Sequence, residues 1–207
     1  MSNSITVTLG GTLIAFVMFT SPAAASSPVD LSNPAFAPVT GATSIPVGAA
    51  DFCKRDRAAC AANANVIEVE PLTPQSWSQL VAINDDVNST IVPETDEDLY
   101  HVAEYWTYPD GRGDCEDIAL EKQRELVKAG WDPSTLLMTV VRERDGNGHA
   151  VLMVRTDRGD LVLDNQNGKI VTWNATNYEF IKRQSQTDAG KWVGLNDDRA
   201  TIIAAMN

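Results

Sequence analysis

The stretch GRGDCEDIALEKQRELVKAG, residues 111–130, decides the fold. Ile118, Ala119, Leu120, Leu126 and Val127 form an apolar stripe at helical spacing, and Glu121, Lys122, Arg124, Glu125 and Lys128 fill the opposite side. The pattern predicts an amphipathic helix that begins at Cys115 and ends at Gly130, a residue suited to the left-handed turn after a helix. Ahead of it, TYPDGRGD at 107–114 reads as loop from its proline and glycines.

Downstream the period changes. TLLMTVVRER (135–144) and HAVLMVRT (149–156) are rich in β-branched and long apolar residues and are joined by DGNG, which reads as a turn. DLVLD (160–164) follows a tight TDRG reversal, and KIVTW, YEFIKRQ and KWVGL are further short strands. Upstream, Thr73 and Pro74 mark the start of a helix over about 74–89, with Trp77, Leu80, Val81, Asn84 and Val87 near helical spacing. TDEDLYHVAEYW begins a second, shorter helix with Thr95 as cap, predicted to end near Trp106. Helices first and strands after imply an α+β domain with a mostly antiparallel sheet.

The chain has 207 residues and a net charge of −12. No basic stripe with interleaved aromatics is present, which argues against nucleic-acid binding. Residues 1–25 read as a signal peptide: an apolar run from Ile5 to Phe19 and a small-residue end at Ala23–Ala25, although no Lys or Arg precedes the run. Residues 26–50, rich in Pro, Ser, Gly and Ala, read as a flexible linker, so the folded domain is expected over 51–207. Export implies an oxidising compartment, where Cys53 and Cys60 would pair and leave Cys115 free. An unbroken helix would hold two residues seven apart at roughly 10 Å, too far for a disulfide, so pairing requires a bend; two separate thiols are the alternative.

A cysteine at a helix start meets unpaired backbone N–H groups and the positive end of the macrodipole, both of which favour a thiolate, and its own N–H can donate to an oxyanion. Asp114, Glu116 and Asp117 oppose this by like charge. Either they cap the helix, or they hold a hard cation such as Ca²⁺ through oxygen. Of the two histidines, His101 reads as a solvated helix residue. His149 opens a strand after a glycine-rich turn, and Asp164, fifteen residues on, returns beside it across a hairpin. Cys115, His149 and Asp164 therefore form a candidate nucleophile, base and orienting acid. Trp106 is either a core aromatic or an indole donor to the oxyanion. The tripeptide RGD at 112–114 serves the helix start.

The blocks AEYWTYPDGRGDCEDIALEKQRELVKAGW, TVVRERDGNGHAVLMVRTDRGDLVLDNQ and FIKRQSQTDAGKWVGL resemble the bacterial transglutaminase-like cysteine proteinases, which include LapG-type periplasmic proteases. The resemblance spans about residues 52–195. It implies a papain-like or transglutaminase-like fold, with N-terminal helices packed on a mostly antiparallel sheet, and a catalytic triad at Cys115, His149 and Asp164. It also implies calcium dependence, with Asp114 and Glu116 as ligands and Asp117 beside them. The expected function is a periplasmic, calcium-dependent cysteine endopeptidase that acts on a protein substrate, a large surface adhesin in LapG-type members, and that an inner-membrane receptor can sequester. The same triad would serve a transglutaminase-type acyltransferase; a calcium- or adhesin-binding module with an idle triad is the non-enzymatic alternative.

Overall fold

The computed structural model describes residues 30–199, so the expected signal peptide at 1–25, residues 26–29 and residues 200–207 lie outside the described residues. Among the described residues, nine strands and four α-helices follow in the order β1 (Val39–Thr43), α1 (Val47–Arg55), α2 (Pro74–Thr90), β2 (Val92–Pro93), α3 (Asp96–Tyr100), β3 (Arg112–Gly113), α4 (Cys115–Lys128), β4 (Leu136–Arg142), β5 (Gly148–Thr156), β6 (Gly159–Leu163), β7 (Val171–Thr172), β8 (Glu179–Gln184) and β9 (Trp192–Leu195). Seven strands form one antiparallel sheet in the order β1-β9-β8-β4-β5-β6-β7. Helices packed on an antiparallel sheet make this the α+β architecture expected.

Alternation along β4, β5 and β6 builds two cores. Leu136, Met138, Leu152, Val154, Leu161 and Leu163 face α4 and α2 through Ala119, Leu120, Leu126 and Leu80. Their neighbours Leu137, Val141, Val151, Met153 and Val162 face the other way and pack with Ala37, Trp173 and Phe180. The period of two along a strand delivers one set to each face. Helix α2 starts as its sequence implies: Thr73 accepts from the Ser76 backbone, the Ser76 side chain reciprocates, and Pro74 takes the first turn. Helix α4 also starts at Cys115, and Gly130 adopts φ +96° just beyond its end.

Two expectations are corrected. The segment read as linker over 26–50 is built into the domain across its described part. Strand β1 pairs with β9, and the Ala37 N–H donates to Asp160 Oδ2 at 2.8 Å while the Asp160 N–H donates to the Ala35 carbonyl at 2.8 Å. All five β1 residues are exposed, so the strand is held by its backbone and leaves no apolar alternation to read. Helix α1 approaches the core through small residues: a Cβ on Gly48 would lie 2.3 Å from Trp106 Cδ1. The second helix stops at Tyr100 rather than near Trp106. His101 turns left-handed at φ +58°, and the Tyr105 N–H bonds back to Asp96 Oδ2, folding 101–105 into a loop that delivers Trp106 to the core.

Cys53 and Cys60 are bridged, with their Cα atoms 5.5 Å apart. The bend that pairing requires is present, because α1 ends at Arg55 and residues 57–60 form a turn.

Candidate active site

Cys115 is fixed from both sides of the chain. The parallel pair β2–β3 clamps the preceding loop: the Val92 N–H donates to the Gly111 carbonyl at 3.0 Å and the Glu94 N–H to the Gly113 carbonyl at 3.1 Å. Gly113 is required by close packing, since a Cβ there would lie 2.7 Å from Asp117 Oδ2. Helix α4 then sets the thiol at its mouth.

His149 and Asp164 arrive on the β5–β6 hairpin. Its turn is tight: Gly159 has φ +102°, and a Cβ there would lie 2.5 Å from the Ala35 carbonyl oxygen. Leu152 pairs with Leu163, which leaves Asp164 one step beyond β6 and diagonal to His149. The two side chains are buried and joined, His149 Nε2 to Asp164 Oδ1, at 2.9 Å. Asp164 Oδ1 also accepts the Gln166 backbone N–H at 3.0 Å, and Oδ2 accepts the Tyr178 hydroxyl at 2.5 Å. Burial works against charge on Asp164, yet the hydrogen bonds from His149, Tyr178 and Gln166 hold its carboxyl below the usual range.

Cys115, His149 and Ala150 line one cleft of about 260 Å³, with Pro46, Glu104, Trp106, Glu116, Val140 and Gly148. The structure thus brings the three expected residues to one place. The thiol donates to Glu116 Oε2 at 3.2 Å rather than to the imidazole. Burial first, and the Glu116 carboxylate second, push the Cys115 thiol up; the Ala150 backbone N–H opposes them. Trp106 lines the cleft, but its indole N–H is given to Glu104 Oε2 at 3.0 Å and is not free for an oxyanion.

The acids around Cys115 are not helix caps. Asp114 occupies the cap position without a side-chain capping bond, and Asp117 Oδ1 accepts the Thr107 N–H at 2.7 Å. Asp114 and Asp117 gather instead with Asp96, one carboxylate oxygen from each lying within 4.8 Å of the others. Asp96 Oδ1, Asp114 Oδ1 and Asp117 Oδ2 are buried without hydrogen-bond partners. Burial raises the carboxyls of Asp96 and Asp117, the latter to about 8. Glu116, expected among the ligands, accepts from the sulfur through Oε2 and keeps a ligand atom within 4.8 Å of Asp114 and Cys115. Sequence reading missed Asp96 because a first-turn acid after Thr95 already has a role at the helix dipole, and no spacing connects it to residue 114. It missed Tyr178 because an aromatic beside a strand reads as core.

A helix with cysteine at its mouth, laid on an antiparallel sheet that carries His and Asp, is the architecture of a transglutaminase-like cysteine proteinase. The family model described as bacterial transglutaminase-like cysteine proteinase (BTLCP) matches residues 39–200, and the chain belongs to that family; it is a cysteine peptidase. Among solved structures, Legionella pneumophila LapG is 26% identical over 63% of this chain and 74% of that chain, with a TM-score of 0.49. Its calcium-bound form is 23% identical over 66% and 83%, with a TM-score of 0.50, and its EGTA-treated form 24% identical over 66% and 82%, with a TM-score of 0.49. The likeness is one of fold. No curated protein matches the chain.

Proposed function

We propose that this chain is a periplasmic, calcium-dependent endopeptidase with Cys115 as nucleophile, His149 as base and Asp164 as the acid that orients it. The observation that carries this reading is the buried His149–Asp164 bond opening onto the cleft that holds the free thiol of Cys115. With Nε2 committed to Asp164, Nδ1 of His149 takes the thiol proton as sulfur attacks the substrate carbonyl carbon. The oxyanion so formed meets the Cys115 N–H at the mouth of α4. Collapse breaks the peptide C–N bond, and the amine leaves with the proton from His149. Water then attacks the thioester, its proton passing to His149, and the carboxylic acid departs as the proton returns to sulfur.

The residues fit a calcium ion. Three buried carboxylate oxygens without partners, from Asp96, Asp114 and Asp117, form the all-oxygen set that a hard cation takes. The calcium-bound form of the Legionella protein supports the choice of metal. When bound, calcium would neutralise negative charge beside the sulfur. The disulfide and the signal-like N-terminus support a periplasmic address. The substrate is read as a large surface adhesin, and the partner as an inner-membrane receptor, from the LapG-type resemblance alone.

The test compares cell-surface and secreted proteins from cells with wild-type protein, with Cys115→Ala, and with chelator. A surface protein shortened only by the wild type with calcium is expected. Shortening that persists with Cys115→Ala would remove the nucleophile, and a protein retained in the cytoplasm would remove the address. Products in which the acyl group is joined to an amine as an amide, in place of the new carboxylate, would make the enzyme an acyltransferase.

A further inference from the structure

The Asp164 carboxylate is held at both oxygens. His149 Nε2 and the Gln166 backbone N–H meet Oδ1, and among the described residues the Tyr178 hydroxyl is the group that holds Oδ2. A carboxylate fixed at one oxygen can turn about its Cβ–Cγ bond, where the torsional preference is broad. Fixed at both, it keeps one plane. Tyr178 also touches the other partner: its ring lies 5.4 Å from the His149 ring, inclined at 54°. It comes from a distant part of the sheet. It immediately precedes β8, which is separated from β6 by β4 and β5, so one side chain spans to both members of the pair.

We propose that Tyr178 is a positioning residue of this site, its hydroxyl fixing the Asp164 carboxylate so that Oδ1 stays on His149 and its ring limiting the tilt of the imidazole. The inference rests on the reading of the cleft as a thiol-peptidase site. Burial, and then the bond to Asp164, push the Tyr178 phenol up, so the hydroxyl keeps its proton and donates. The hydrogen bonds to the Asp164 carboxylate come from His149, Gln166 and Tyr178, not from Glu116 or the three aspartates.

The test uses the calcium-loaded protein and needs no substrate. The His149 ring N–H is observed by ¹⁵N NMR, with His101→Gln to assign the other histidine, and Cys115 alkylation by iodoacetamide is timed. The wild type is expected to show a downfield, slowly exchanging His149 Nε2 proton and fast alkylation. Tyr178→Phe keeps the ring and should lose that proton to exchange, with alkylation slowed about tenfold, the scale of a lost hydrogen bond to a charged group. Retention of the proton together with alkylation within twofold of wild type overturns the proposal and leaves the peptidase reading intact. A wild type lacking both the slow proton and fast alkylation sinks the peptidase reading itself. Should Tyr178→Phe not fold, 3-fluorotyrosine incorporation strengthens the donor in the native sequence. A shifted His149 ring proton then supports the anchor, and an unmoved one rejects it.

Discussion

Cys115 sits where opposing influences meet within a few ångströms. The mouth of α4 and the Ala150 N–H favour its thiolate, while burial and Glu116 oppose it. Asp96, Asp114 and Asp117 each carry one buried oxygen with no hydrogen-bond partner. The proposed cation would satisfy those oxygens, and Asp96→Asn separates the two effects. Removing one of three crowded carboxylates should leave the calcium-free protein as stable or more stable. Its calcium affinity should fall at least roughly tenfold, about 1.4 kcal/mol. Calorimetric titration and thermal melts with and without calcium read both quantities; unchanged affinity would take Asp96 out of the site. At this scale the residues that announce themselves in sequence are those whose local pattern is unusual, an acid-flanked cysteine before a helix and a histidine after a glycine turn. Asp96 was silent because its local role was already satisfied. Glu116 keeps an oxygen within 4.8 Å of Asp114 and the Cys115 sulfur, so it stays beside the expected ligands.

At the level of elements, the hairpin and α4 do most of the placing. The β5–β6 register was readable from the tight turn and the alternating strands, which brought Asp164 near His149 to within a residue or two. The His149–Asp164 bond itself depends on side-chain geometry that no pattern encodes. Helix α4 was readable end to end, except that its lysine at 122, assigned to the solvated side, is buried. Burial drives the Lys122 amine down from 10.5 to about 7, against the pull of Asp164 and Asp85. Between those values the unfolded chain holds a proton that the folded chain has released, so stability rises with pH across about 7 to 10.5. Lys122→Met should remove that slope. The variant should be the more stable protein at or below pH 7, by an amount on the order of a few kcal/mol at most, and the gap should close toward pH 10. Urea denaturation at intervals of pH measures it, and a gap that stays constant would mean that Lys122 does not change protonation on folding.

For the whole molecule, the sequence conveyed the order of helices and strands but placed the start of the domain too late. Strand β1 closes the sheet edge through backbone bonds alone, and Ala35 and Ala37 tie the arm to the buried Asp160, so small and exposed residues do structural work that composition hides. The arm also brings Pro46 and Gly48 to the rim of the cleft and against Trp106. The N-terminal segment thus helps to shape the site rather than merely carrying the domain. The disulfide follows the same logic: the break in α1 that allows it lies in a turn with no strong signal.

With Cys53 and Cys60 bridged, Cys115 is the free thiol, so alkylation reports on one atom. The most direct measurement is the iodoacetamide reaction rate of Cys115 in calcium-loaded protein, wild type against His149→Ala. A base acting on this sulfur predicts a rate lower by roughly 10² in the variant. Equal rates in two folded proteins would mean that the imidazole does not act on the sulfur.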